Sequence, residues 1–305
     1  MVFAYSVSIE SEGIEYAAKT YITPAVLSLV LGQSLVSLAR GSDASSRVRD
    51  REAFASVALG WIPVVAVGAL PYWFGGMFNG PFEVFSGTAS LWDALSGLLY
   101  SWFESMSGFT TTGATVIDIS TSPVCSAFTV ADDCIGSQSN SLILWRSITQ
   151  WVGGMGVIML GLLILSRVLG GGMSLARAEL TGPSLSRLGP TLQWTARRLW
   201  LIYVVLTILE FGMLHFLGGL GVFDAVNYSL TTLPSGGFGT SDEGIMGFES
   251  VRVEAILIVF MLLTCINFSL LHLMIARRRK DAWTDEKLRT NLLILLVARM
   301  AMSFN

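Results

Sequence analysis

Two short uncharged stretches decide the fold: Ser107-Gly108-Phe109-Thr110-Thr111-Thr112-Gly113-Ala114-Thr115 and Ser235-Gly236-Gly237-Phe238-Gly239. We name residues 111–115 loop A and residues 235–239 loop B. Each loop follows an apolar segment, at about 91–108 and at about 222–233. Crossing a bilayer takes roughly 20 mostly apolar residues, and both segments are too short or too polar for that. The pattern therefore predicts, twice, a re-entrant helix that runs into a loop.

The two copies also match in spacing. The stretch that starts at Tyr100 begins thirteen residues before Gly113, and the one that starts at Asp224 begins thirteen residues before Gly237. Each copy lies between two long apolar segments, so the predicted unit is span, re-entrant helix, loop, span. A single glycine-rich loop is more often an ordinary turn, but two copies at matched spacing favour a repeated functional element.

The composition around these units is that of a membrane protein. The 305 residues are 52% hydrophobic and 13% charged, whereas a soluble domain carries about 25% charged residues. No basic face suggests nucleic acid as a partner. We predict an all-α integral membrane protein in the lipid bilayer, built from helix–pore-loop–helix repeats. The predicted spans lie at about 21–39, 53–74, 142–168, 197–218 and 252–276, and a sixth apolar run starts near Asn291.

Charge predicts the orientation of these spans. Residues 75–141 and 219–251 contain no lysine or arginine, whereas the alternate segments are basic. The basic residues there include Arg40, Arg47, Arg49, Arg51, Arg177, Arg187, Arg277, Arg278, Arg279, Lys280, Lys287 and Arg289. Positive residues stay on the cytoplasmic side, so we expect a multi-pass plasma-membrane protein with basic cytoplasmic loops and an outside N-terminus. Binding of anionic lipid is the minor alternative for the arginine clusters.

The chemistry of the loops suits a dehydrated monovalent cation. Glycine reaches positive φ at little cost, so successive carbonyls can turn toward one axis and replace the hydration shell of an ion. Neither loop carries a charge, which argues against a divalent ion held by carboxylates. The predicted ligands of this cation are Thr111, Thr112, Gly113, Ala114, Ser235, Gly236, Gly237 and Phe238. No covalently bound cofactor is expected.

Further residues are candidates for supporting the loops or lining the pore, together with Thr110. Arg146 and Gln150 share one face near the outer end of a span. Arg146 either braces the loop backbone or reaches the interface by snorkelling. Asn267 either faces the pore below loop B or satisfies a neighbouring helix. Cys125 and Cys134 lie nine residues apart in the acidic outer loop, and a disulfide between them is as plausible as two free thiols.

These motifs together resemble the Trk/Ktr/HKT superfamily of potassium transporters, as a TrkH-like pore subunit. Residues 107–115 resemble its first filter, and residues 235–240 resemble its second. Leu144-Trp145-Arg146-Ser147, with Gln150-Trp151-Val152-Gly153-Gly154-Met155-Gly156, resembles the helix after the first filter. Asn267-Phe268 resembles the helix after the second. In the family a filter glycine accompanies potassium selectivity, so Gly113 and Gly237 favour potassium.

The resemblance implies four repeats around one pore, a dimer, and a cytoplasmic nucleotide-binding regulatory subunit. Two of the four repeats are expected here, so a second copy or a separate chain would supply the rest. The predicted segments are an N-terminal segment with one leading helix (1–50), a first repeat (51–170), a cytoplasmic linker (171–195), a second repeat (196–280) and a truncated third repeat (281–305).

The predicted function is potassium uptake across the plasma membrane through backbone-carbonyl filters, as a pore-forming subunit or half. The alternative is a non-conducting regulatory or structural subunit, or a truncated relic of a transporter. An enzyme is not expected, because the two histidines lack metal-ligand spacing and no serine lies in a nucleophile-elbow motif.

Overall fold

The computed structural model describes residues 1–39, 50–126, 129, 132–168 and 192–265, and within those ranges the chain forms helices and loops without strands. The α-helices are α1 (Val2–Glu12), α2 (Ile14–Ala17), α3 (Thr23–Ala39), α4 (Asp50–Phe74), α5 (Pro81–Phe85), α6 (Leu91–Phe109), α7 (Asn140–Val168), α8 (Leu192–Gly212), α9 (Val222–Thr232) and α10 (Val251–Cys265). A π-helical turn, Ala18–Ile22, joins α2 to α3, and another, Met213–Leu217, extends α8.

The described parts of the five predicted spans lie on α3, α4, α7, α8 and α10, with the π-helical turns beside α3 and α8. Two helices in the described part of the chain, Ile14–Leu38 and Arg197–Leu217, are long and apolar enough to cross a membrane, and Ala58–Phe74 is a shorter apolar helix. Leu29 and Leu38 on α3 are 73% and 80% exposed, as expected of side chains that face lipid. The apolar run from Asn291 and the end of the fifth predicted span lie outside the described residues.

The two re-entrant helices are α6 and α9, and their bounds match the predicted segments. The side chain of Ser90 accepts a hydrogen bond from the Asp93 amide, and Asp93 accepts one from the Ser90 amide. This reciprocal cap satisfies amides that have no partner inside helix α6. Helix α9 begins after Gly221, with Asp224 in its first turn. A negative charge there is favourable because the N-terminus of a helix carries a partial positive charge.

Helix α7 is the structural centre, because it packs against both halves of the chain. Its Trp145 belongs to an apolar cluster that includes Tyr72 and Phe78, and its Met155 belongs to a second cluster around Tyr203. The indole of Trp145 donates to the Gly68 carbonyl over 3.0 Å. A helix that buries side chains on both sides can hold the two loops relative to each other.

Helix α1 is an element that the apolar pattern does not predict. It is held by tertiary contacts: Glu12 accepts hydrogen bonds from Ser141, over 3.1 Å, and from Ser139 at the start of α7. The hydroxyl of Tyr16, just after α1, donates to the Gly75 carbonyl over 2.7 Å. These contacts place α1 at the same end of α7 as the loop that precedes it.

Candidate functional site

Loops A and B share one unusual backbone conformation. Thr111 and Gly113 have φ values of +54° and +74°, and Ser235 and Gly237 have φ values of +56° and +84°. Left-handed backbone is costly for threonine and serine, so the surrounding structure must impose it at Thr111 and Ser235. The same alternation at matched positions supports the repeat seen in the sequence.

Hydrogen bonds to the re-entrant helices fix the start of each loop. The amide of Thr112 donates to the Ser107 carbonyl over 2.9 Å, and the amide of Gly236 donates to the Thr231 carbonyl over 2.8 Å. These are corresponding positions of the two repeats. Each loop is therefore closed onto the C-terminal end of its helix, which carries a partial negative charge that suits a cation.

The two loops are in contact. A Cβ atom added to Gly113 would collide with the Gly236 carbonyl oxygen. Only glycine therefore fits at position 113, both for its positive φ and for the close approach of the second loop. A carbonyl of loop B thus lies directly against the central glycine of loop A.

Two of the predicted residues of loop A have partners within their own repeat. The Ala114 carbonyl accepts a hydrogen bond from the Ser107 hydroxyl over 2.6 Å. The hydroxyls of Thr110 and Thr112 lie 2.8 Å apart, and both side chains are exposed. The Ala114 carbonyl is thus engaged by helix α6, and a carbonyl oxygen keeps one further lone pair for a cation.

Arg146 lies in the interior and contacts loop B. It is 1% exposed, which disfavours snorkelling to the membrane surface. Its guanidinium donates to the Gly239 carbonyl over 3.3 Å and lies 4.1 Å from the centre of the Phe238 ring. Arg146 thus contacts both the backbone and a side chain of loop B.

The partner of Arg146 is Glu104 on helix α6, which the sequence analysis missed. The guanidinium Nε donates to the Glu104 carboxylate over 2.8 Å, and Glu104 is fully buried. The carboxylate also accepts from the Thr115 hydroxyl over 3.0 Å and from the Val116 amide over 3.2 Å. The available signal was that Glu104 is the one charged residue of α6 beyond its first turn, because such a charge within an apolar segment needs a partner.

Gln150, also on helix α7, contacts loop B. Its side-chain oxygen accepts a hydrogen bond from the Phe238 amide over 3.3 Å. A Cβ atom on Gly236 would meet the end of that side chain, so a larger residue there would displace the Gln150 amide. Loop B is thus held by two polar side chains one helical turn apart on α7.

Tyr228 on helix α9 is a second residue that the sequence analysis missed. It stands nine residues before Gly237, and Glu104 stands nine residues before Gly113. A Cβ atom on Gly239 would lie 3.2 Å from the Tyr228 hydroxyl, which is buried. Corresponding positions therefore place different chemistry behind the two loops, and periodicity alone could not reveal this.

Two adjacent glycines of helix α7 contact the residues just before the loops, Gly153 on the side of loop A and Gly154 on the side of loop B. A Cβ atom on Gly153 would collide with the Phe109 carbonyl, and one on Gly154 would collide with the Pro234 side chain. These glycines act in packing, in keeping with small residues at helix contacts in membranes. Asn267, the remaining predicted pore-lining residue, lies outside the described residues.

The loop before α7 is joined to the segment after loop B. Cys125 and Cys134 form a disulfide with Cα atoms 5.5 Å apart. The amide of Cys134 donates to the Asp242 carboxylate over 2.7 Å, and the amide of Asp242 donates to Asp133 over 2.9 Å. The bonded loop thus contacts the chain just beyond loop B.

Reduction of this disulfide is expected to lower the free energy of unfolding by about 2–4 kcal/mol, because the unfolded chain loses a covalent constraint. Thermal unfolding of the purified chain with and without a phosphine reductant measures the effect. A Cys125→Ser/Cys134→Ser variant is the control and should not respond to reductant. Of the three cysteines, one should react with a thiol reagent in the denatured, unreduced chain. Three reactive thiols would contradict the disulfide.

Comparisons with known proteins agree with this arrangement. The family described as "TrkH: Cation transport protein" matches residues 83–304. The Trk system potassium uptake protein TrkH of Escherichia coli K12 is 35% identical over 246 residues, which are 79% of this chain and 44% of that protein. The Trk system potassium uptake protein TrkG of the same organism is 33% identical over 260 residues, which are 85% of this chain and 47% of that protein.

A solved structure is similar as well. The crystal structure of the potassium transporter TrkH from Vibrio parahaemolyticus aligns with a TM-score of 0.60 and 25% identity, over 97% of this chain and 57% of that one. The chain spans less than half the length of these two Escherichia coli relatives. The family match covers well over half of the chain and includes both loops. The chain therefore belongs to the TrkH family of cation transport proteins.

Proposed function

We propose that this chain forms half of a pore that takes up potassium across the plasma membrane, with loops A and B as two segments of its selectivity filter. The relatives named potassium uptake proteins support potassium as the ion. The observation that carries the proposal is the contact between two uncharged loops of the same backbone conformation, at Gly113 and the Gly236 carbonyl.

The proposed ligands are backbone and hydroxyl oxygens of residues 111–114 and 235–238. A carbonyl filter selects among monovalent cations when its oxygens replace the water that the ion gives up on entry. Helices α6 and α9 both end at the loops, so their partial negative ends add to the attraction for a cation. The buried charges near the loops, Glu104 and Arg146, neutralise each other and leave the loops uncharged.

A complete filter would need further loops in addition to these two. We propose that a second copy of this chain or a separate chain contributes them, and that a cytoplasmic nucleotide-binding subunit regulates transport. The N-terminus is proposed to lie outside. The contact between Glu12 and Ser141 supports this topology, because it holds α1 beside the acidic segment that precedes α7.

Complementation of a potassium-uptake-deficient strain tests the proposed function. Cells that express the chain, with and without a candidate partner, should grow at low potassium and take up rubidium as a potassium analogue. Gly113→Asp should abolish both, because its side chain would collide with the Gly236 carbonyl oxygen and would bring a negative charge into an uncharged loop.

Gly87→Asp is the matched control. Gly87 also has a positive φ, +78°, but a Cβ atom there meets nothing within 4 Å, and the residue is exposed. This variant introduces the same charge and the same backbone strain away from the loops, so growth should persist. Equal rescue by wild type and Gly113→Asp would remove the filter assignment. No rescue by wild type with any partner would favour the non-conducting alternative.

A further inference from the structure

One buried network touches both loops. At one end, Glu104 accepts hydrogen bonds from Thr115, the last residue of loop A, and from the amide of Val116. At the other end, Arg146 donates to the Gly239 carbonyl of loop B and stacks on the Phe238 ring. The ion pair between Glu104 and Arg146 joins the two ends.

Removing either partner of the Glu104–Arg146 ion pair destabilises the structure. Arginine keeps its proton in proteins, and both side chains are almost completely buried, at 1% and 0% exposed. Removing one partner leaves the other as an uncompensated charge in a low-dielectric interior. The position of the Arg146 guanidinium over loop B is therefore set by a carboxylate on helix α6, in the other repeat.

The second repeat has no charge of its own at the corresponding place. Tyr228 occupies the position equivalent to Glu104, and Gly239 occupies the position equivalent to Thr115. Loop B thus gets its cationic support from Arg146 on α7, which is itself held by the first repeat. The dependence is directional: loop B relies on Glu104, although Glu104 accepts no hydrogen bond from it.

We propose that Glu104 is a positioning residue that couples the two loops through Arg146, so that the geometry and ion preference of loop B depend on a carboxylate behind loop A. The part of this proposal that concerns ion preference rests on the proposed function. The part that concerns geometry does not, because it follows from the contacts alone.

Hydrogen–deuterium exchange of the purified full chain tests the geometric part. In Glu104→Gln, amides of residues 235–240 should exchange about tenfold faster, because local opening becomes easier when Arg146 loses its partner. Residues 111–117 should also exchange faster. Glu83→Gln is the matched control: Glu83 lies on helix α5 and caps the Gly80 amide over 2.9 Å, so residues 235–240 should be unchanged.

A double variant without the two charges separates a local effect on loop B from general unfolding. Glu104→Gln/Arg146→Met leaves no buried unpaired charge, and should fold while loop B still lacks its cationic support. If Glu104→Gln raises exchange throughout the chain, including α1, the variant is generally destabilised. The double variant then shows whether the loss of Arg146 alone speeds exchange in loop B. Wild-type exchange over 235–240 in the folded double variant would overturn the proposal.

Ion competition tests the second part. The preference for rubidium over sodium should fall about tenfold in Glu104→Gln, equivalent to about 1.4 kcal/mol, and remain unchanged in Glu83→Gln. A purely structural defect would lower uptake of both ions alike and would refute the role in ion preference. If the wild-type chain transports no ion while Glu104→Gln still speeds exchange over residues 235–240, the proposed function fails and the coupling between the loops stands.

Discussion

Arg146→Met is expected to lower the free energy of unfolding by about 3–5 kcal/mol, the range seen when one partner of a buried ion pair is removed. The reason is the Glu104 carboxylate, which is fully buried and would lose its only ion-pair partner in the described structure. The Gly239 carbonyl would lose a donor at the same time. Denaturant titration of the detergent-purified chain measures the change.

A second substitution separates charge from packing. Adding Glu104→Gln to Arg146→Met should recover most of the lost stability, since neutral groups are far cheaper to bury than an unpaired charge. Arg252→Met is the control, because Arg252 lies exposed on α10 and should change stability by less than about 0.5 kcal/mol. If the double variant is less stable than Arg146→Met alone, the ion pair does not explain the loss.

Alanine at Gly113 is expected to be much more damaging than alanine at Gly237, although the two glycines occupy corresponding positions. Both have positive φ, so both variants carry a strain of about 1–2 kcal/mol. At Gly113 the new methyl group also collides with the Gly236 carbonyl, which adds about 1–3 kcal/mol of overpacking. In the described structure, a Cβ atom on Gly237 meets nothing within 4 Å.

Thermal unfolding and the yield of folded chain compare the two variants directly. Gly219→Ala adds a control for strain alone, because Gly219 has a φ of +78° and also has free space around its Cβ position. We expect Gly219→Ala and Gly237→Ala to behave alike. Equal destabilisation at Gly113 and Gly237 would mean that the loops do not meet at position 113.

The sequence was sufficient for the repeat and its elements because each has a local cause. Helices α6 and α9 follow from apolar segments of limited length, and the loops follow from glycine at matched spacing. Arg146 could be singled out because an arginine in an apolar helix is costly. Gln150 followed from its place one turn away on the same face.

What the sequence could not supply were relationships between distant segments. Glu104 and Arg146 stand 42 residues apart, and nothing in the spacing pairs them. Helix α1 has little apolar periodicity and is held by Ser139 and Ser141, more than a hundred residues away. The contact of Gly113 with Gly236 depends on how two repeats pack, and periodicity describes each repeat separately.

The unlike pairs behind the two loops also limit how the repeats could be interchanged. Threonine in the first repeat faces a carboxylate, whereas glycine in the second leaves space for the Tyr228 ring. A chimera that moved residues 111–115 into the second repeat would press a threonine side chain onto that phenol. A transplanted loop is therefore expected to work only together with the helix that precedes it, α6 for loop A and α9 for loop B.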